Sequence, residues 1–195
     1  MNKRDIKLSG VGGQGILTIA TVIGEAATAA GLQLKQAEVH GMSQRGGDVQ
    51  SDLRLATDAI CSDLIPLGQA DLIISMEPME ALRYLPYLAP KGAVITSSKP
   101  LVNIPNYPDE AALLAELDAL PHVVRADIET LAREHAMPKS ANMILLGMAA
   151  PSLKQLLSEE QLRDAIARVF ARKGMEIVNA NLEAFKLGLE TASNR

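Results

Sequence analysis

An apolar run from Ile6 to Ser9 enters a stretch holding four glycines, Gly10 to Gly15, and emerges into Ile16, Ile19, Ala20, Ile23 and Ala27 at helical spacing. Gly31 closes that helix as a C′ glycine, and Leu32 to Val39 reads as a second strand. Together they predict a right-handed β-α-β unit of about 35 residues. Val49, Ser51, Leu53 and Leu55 alternate with Gln50, Asp52 and Arg54, which predicts a half-exposed strand at a sheet edge or in an antiparallel pair. Asp71 to Met76 reads as a buried central strand, Gly92 to Thr96 as a short buried one and His122 to Ala126 as the last. Pro78 opens a helix with Leu82, Leu85 and Leu88 along one side. Residues 97–108 hold three prolines and read as irregular, a lid or a partner-docking segment.

Helices dominate the remainder. Asp109 caps a helix with Leu113, Leu117 and Leu120 on one face, and Asp127 starts another that ends near His135. Ser140 opens an apolar helix through Asn142 and Gly147. Ser158 and Gln161 form a capping box for a helix that Gly174 ends. Val178, Leu182, Phe185 and Leu189 mark the last one. No linker, repeat or low-complexity segment divides the chain. The expectation is a single α/β domain over 1–195: a three-layer, Rossmann-like, mostly parallel sheet with helices on both faces and a helical C-terminal third.

Composition narrows the function. A chain of 195 residues buries about 70% of its unfolded surface, and 48% hydrophobic content is ordinary for a globular protein. Nineteen basic against 23 acidic residues, 3% aromatics and no Trp leave neither a basic stripe nor a stacking platform for nucleic acid. No apolar run approaches the roughly 18 residues of a membrane span, and the first residues lack a signal-peptide core, so the cytoplasm is the expected compartment. Cys61 is the sole cysteine, which excludes an internal disulfide and a cluster held by four of this chain's thiolates. Its apolar neighbours Ala59 and Ile60 predict a small buried hydrophobe. His40, His122 and His135 are scattered, and neither a nucleophile elbow nor a nucleotide-hydrolase loop is present. No catalytic residue and no metal site is evident.

Two stretches carry the candidate chemistry. Gly10, Gly12 and Gly15, with Gly13 and Gln14 between them, have dinucleotide-loop spacing, and the helix start beyond suits a phosphate or carboxylate. The same glycines equally serve tight strand-to-helix packing. Glu38, 23 residues after Gly15, stands where an acid meets a ribose hydroxyl in dinucleotide-binding folds, which keeps a free-standing NAD(P)- or FAD-binding reading open. The second stretch, His40-Gly41-Met42-Ser43-Gln44-Arg45-Gly46-Gly47, follows a strand's carboxyl end and sets an imidazole, a hydroxyl, an amide and a guanidinium among glycines. Arg45 can hold a phosphate or carboxylate through two hydrogen bonds. The two loops are expected side by side.

The paired loops resemble the gamma subunit or domain of the 2-oxoacid:ferredoxin oxidoreductases. His40 to Gly47 is similar to the indolepyruvate type rather than the pyruvate type, as are Met76-Glu77-Pro78-Met79-Glu80-Ala81-Leu82-Arg83 and Asn142-Met143 with Leu146-Gly147. The resemblance implies a non-redox small subunit, inactive alone, of an enzyme that converts aryl pyruvates and coenzyme A to arylacetyl-CoA, carbon dioxide and reduced ferredoxin. It places thiamine diphosphate, magnesium and the iron–sulfur clusters on a large partner subunit. It makes His40, Met42, Ser43, Gln44, Arg45, Gly46 and Gly47 a loop for substrate, coenzyme A or partner, and the glycine loop a contact for phosphate or partner backbone. An interaction-only role as activator or chaperone is a further alternative. A subunit of this kind exposes apolar surface, so the isolated chain is expected to self-associate.

Overall fold

In the computed structural model, which describes residues 2–40 and 46–193, the strands are β1 (Lys3–Val11), β2 (Gln33–His40), β3 (Asp48–Ala56), β4 (Ala70–Ser75), β5 (Leu88–Ser97) and β6 (Val123–Ala126). The helices are α1 (Ile16–Ala29), α2 (Pro78–Arg83), α3 (Glu110–Asp118), α4 (Ile128–Glu134), α5 (Ala141–Leu153), α6 (Glu159–Phe170) and α7 (Met175–Ser193). The expected caps form. Asp109, Asp127 and Ser158 each accept the backbone N–H three residues on, and Gln161 returns the bond to Ser158. The helix opened by Pro78 is shorter than the leucine spacing suggests: Leu85 lies in a 3-10 turn and Leu88 already in β5.

The six strands form one sheet in the order β2-β3-β1-β4-β5-β6. From β1 through β6 the pairings are parallel, while β3 runs antiparallel to both β1 and β2. The expected β-α-β unit is therefore split, because β3 lies between its two strands. The antiparallel expectation for residues 49–55 is met, but the edge and the half-exposure are not. β3 is internal and largely buried, and β2 takes the edge.

Charge pairing explains how an alternating polar face can be buried. In the β1–β3 register Asp5 stands opposite Arg54 and Lys7 opposite Asp52. Arg54 donates Nε to Asp5 Oδ1 at 2.8 Å, and Lys7 Nζ lies 2.7 Å from Asp52 Oδ1. Burial alone would raise the Asp5 carboxyl, but hydrogen bonds and charge from Arg54 and Lys3 outweigh it and hold it below its ordinary value. Lys7 also lies over the rings of Tyr87 and Tyr84, 4.3 and 4.9 Å from their centroids.

The larger core lies between the sheet and α1, α5, α6 and α7; a smaller one lies under α2 and α3. In the larger, α5 and α7 cross at Gly147 and Gly188. A Cβ on Gly147 would stand 2.0 Å from the Phe185 carbonyl oxygen, and one on Gly188 2.0 Å from that of Ile144.

Two stability predictions follow from this packing. Gly147→Ala or Gly188→Ala should lower the unfolding free energy by about 3 kcal/mol, because the obstacle is helix backbone that cannot turn aside; urea denaturation reads the loss. Lys7→Met should cost about 3–5 kcal/mol by stranding a buried Asp52, and the double variant Lys7→Met/Asp52→Leu should recover most of that in the same measurement.

Candidate functional site

Strand order reverses between β1 and β4, and at such a switch point the crevice outside the carboxyl ends of the strands is where open α/β sheets bind ligands. β1 ends there in the glycine loop. Gly15 takes φ 85° as the N-cap of α1, a left-handed conformation that glycine adopts without strain. Gly10 packs closely, since a Cβ there would lie 3.1 Å from the Met76 Cβ. Gln14 folds back over the crevice: its side-chain oxygen accepts the Val11 N–H at 2.7 Å and its Nε2 donates to the Met76 carbonyl at 3.3 Å. Gln14 thus ties the end of β1 to the segment after β4.

The Gly46-Gly47 end of the second stretch lies beside the first loop. Gly12 N–H donates to the Gly47 carbonyl at 2.8 Å and Gly46 N–H to the Gly12 carbonyl at 3.3 Å. Gly41, Met42, Ser43, Gln44 and Arg45 lie outside the described residues, and of His40 only the backbone, paired with Val49, is described. Of the segment expected to be irregular, Ser97 still belongs to β5, while 98–108 is irregular and is fastened on two sides. Asn103 Nδ2 donates to the Gly46 carbonyl at 2.7 Å. The fully buried Glu77 accepts the Tyr107 hydroxyl and, at 3.3 Å, the Leu101 N–H, while its other oxygen caps α2 at the Glu80 N–H.

Below the second loop, Tyr84 donates its hydroxyl to Asp48 at 2.8 Å. Burial, opposed by the Arg83 hydrogen bond and aided by nearby Asp48, raises the Glu80 carboxyl. Burial likewise raises that of Glu129, which accepts the Ser97 hydroxyl. The Tyr84 and Tyr107 hydroxyls are pushed up by burial and by the carboxylates they donate to.

On its other side the glycine loop borders a cavity of about 690 Å³. The first turns of α1, α5 and α7 all open onto it, with Lys139, Lys173 and Glu176 at its wall. Ser140 and Asn181, each 4% exposed, line it. The Ser140 hydroxyl caps nothing, and the Asn181 amide nitrogen donates to the Ile177 carbonyl, leaving its oxygen for a ligand donor. Three helix N-termini with two ammonium groups favour an anion.

Two expectations change. Glu38 lies on the edge strand with β3 between it and β1, so its strand stands roughly 9.5 Å from β1 rather than the roughly 4.8 Å of an adjacent, ribose-binding strand; its carboxylate accepts the neighbouring Gln36 amide instead. Cys61 is exposed rather than buried, since residues 57–69 form a connection outside the sheet. Asn142, Ser140, Asn181, Glu77 and Asn103 were not singled out as site residues by sequence reasoning; of these, Glu77 and Asn142 lie in segments that carry the family resemblance and Ser140 at a helix start, while Asn103 and Asn181 carried no local signal.

A glycine loop joined to a Gly-Gly turn on an inserted antiparallel strand defines a class. The chain belongs to the pyruvate ferredoxin/flavodoxin oxidoreductase family, whose model matches residues 5–191. Among its relatives, the indolepyruvate oxidoreductase subunit IorB of Thermococcus kodakarensis is 38% identical, over 98% of this chain and 97% of its own length. The IorB of Archaeoglobus fulgidus is 33% identical, over 96% and 94%. Two solved structures share the fold. The keto/oxoacid ferredoxin oxidoreductase gamma subunit of Geobacter sulfurreducens has a TM-score of 0.74 at 23% identity and covers 100% of this chain and 98% of its own. The 2-oxoglutarate:ferredoxin oxidoreductase of Magnetococcus marinus, with 2-oxoglutarate, coenzyme A and succinyl-CoA bound, has a TM-score of 0.78 at 21% identity; there the match spans 100% of this chain but 32% of the other.

Gln14→Ala should cost about 1–3 kcal/mol, because the Val11 N–H and the Met76 carbonyl lose their common partner. Hydrogen exchange at the Val11 amide, faster in the variant than in the parent, checks it.

Proposed function

We infer that this chain is the small, beta subunit of an indolepyruvate:ferredoxin oxidoreductase, and we propose that it completes a reaction centre whose cofactors lie on a large subunit. The whole-length likeness to IorB subunits carries the first statement. The second is supported by the junction of Gly12 with Gly46 and Gly47, which joins the glycine loop to the end of the 40–47 stretch at one sheet edge, and by a single cysteine, too few to hold a cluster by itself. In this reading the large subunit holds thiamine diphosphate, magnesium and the iron–sulfur clusters. The assembly oxidises an aryl pyruvate with coenzyme A to arylacetyl-CoA and carbon dioxide, passing the electrons to ferredoxin.

The chain's own part is recognition. The helix N-termini with Lys139 and Lys173 hold the phosphates of coenzyme A in the large cavity, and the Asn181 oxygen accepts a donor from the same ligand. His40, Gln44 and Arg45, with Met42 and Ser43, orient the substrate, the thioester-forming arm or a partner loop. The test is reconstitution with the large subunit. Arg45→Ala should still assemble but lose about tenfold or more in turnover, a charge-assisted hydrogen bond being worth about 1.5–3 kcal/mol. Lys173→Ala should raise KM for coenzyme A and leave KM for the oxoacid unchanged. Full activity of Arg45→Ala removes the loop's role, and failure of the parent chain to co-purify with the large subunit removes the reading itself.

A further inference from the structure

The two faces of the sheet are not equally covered. Helices α1 and α5 pack against one face; on the other, α2 and α3 cover β4 and β5. Over β2 and β3 that second face meets, among the described residues, Tyr84, whose hydroxyl donates to Asp48 at the start of β3, and the 57–69 connection, whose Ile65 N–H donates to Asp52. A shallow cavity of about 150 Å³ remains there, bordered by Val39, Leu64, Gln50, Tyr87 and the Lys7–Asp52 pair. Val39 is 57% exposed, Leu64 59%, and Leu67 on the same connection 66%. The Gln50 Oε1 is buried with no hydrogen-bond partner among the described residues, which is costly unless a donor reaches it. Exposed aliphatic side chains around an unsatisfied buried acceptor mark a surface that is complete only in an assembly.

We propose that this face, between the β2 edge and the 57–69 connection, is where the large subunit docks, with an apolar segment over Val39 and Leu64 and one hydrogen-bond donor directed at Gln50 Oε1. The proposal rests on the small-subunit reading. Two observations favour a large chain over a second copy as the occupant. The same fold makes up 32% of the Magnetococcus chain, so there it is joined to further polypeptide. The face also runs into the second loop, since Val39 immediately precedes His40 and pairs with Gln50. A chain seated on Val39 and Gln50 therefore reaches the loop that meets its reaction centre.

The test co-expresses the parent chain, Leu64→Glu, Val39→Glu and Gln50→Leu with the cognate large subunit and measures the dissociation constant of each pair. Both glutamate variants should keep the parental melting temperature, the side chains being exposed, and bind about tenfold or more weakly. Gln50→Leu should melt higher than the parent as the free chain and yet bind more weakly, which loss of folding cannot mimic. Parental affinity in all three variants overturns the docking face while leaving the subunit reading standing. Variants that dissolve a homodimer but bind the large subunit normally overturn it in favour of a second copy. A parent chain that does not bind the large subunit overturns both.

Discussion

The register between β1 and β3 is the constraint on which the rest depends, and it is written in charge. Asp5 meets Arg54 and Lys7 meets Asp52 directly across the ladder. Slipped two residues one way, the strands would oppose Lys7 to Arg54; slipped the other way, Asp5 to Asp52. Either places like charges together where water is scarce, and a slip of one would turn every apolar side chain to the wrong face. A buried ion pair adds little stability relative to apolar residues of similar shape, so what these pairs contribute is specificity of alignment.

That alignment builds the site. β3 runs antiparallel, so its first residues lie at the carboxyl end of β1, and the same register that pairs Lys7 with Asp52 pairs Val11 with Asp48. One step further, the ladder continues as the reciprocal bonds among Gly12, Gly46 and Gly47. A parallel second strand beside β1 would have delivered Glu38 to the crevice. The inserted strand delivers a Gly-Gly turn instead, and with it a loop that carries an imidazole and a guanidinium. The topological exchange separates a dinucleotide-binding frame from this one.

Local signals were legible because they act within a few residues. Asp109, Asp127 and Ser158 cap helices as their spacing requires, and Gly31 turns the chain at a positive φ of 73°. The meeting of the two glycine loops was also accessible, since both follow strands at one sheet edge. Strand order was not, because the alternation of residues 49–55 looks the same whether water or an opposing charge satisfies the polar face. Nor was the α5–α7 crossing, whose two glycines lie far apart in sequence and are needed only once the helices touch. Cys61 misled for a related reason: apolar neighbours suggest burial, but in a connection outside the sheet they lie at the surface. The cavity residues Ser140 and Asn181 sit on helices whose apolar spacing says nothing of what they line.

Where the buried ionisable groups stand bears on what the chain does. Catalytic sites gather perturbed acids and bases in a cleft open to substrate. Here, among the described residues, the perturbed carboxyls serve as fasteners: Asp5 locks β3, Glu80 holds Arg83 beneath the second loop, and Glu129 holds Ser97 at the end of β5. Glu77, wholly buried, fixes segment 98–108 through Leu101 and Tyr107. The ionisable side chains at the wall of the large cavity are Lys139, Lys173 and Glu176, groups suited to attracting and placing an anion. Among the described residues, buried charge is spent on holding β3 and the segments at the carboxyl ends of the strands in place, which is the rigidity a crevice lined by loops requires.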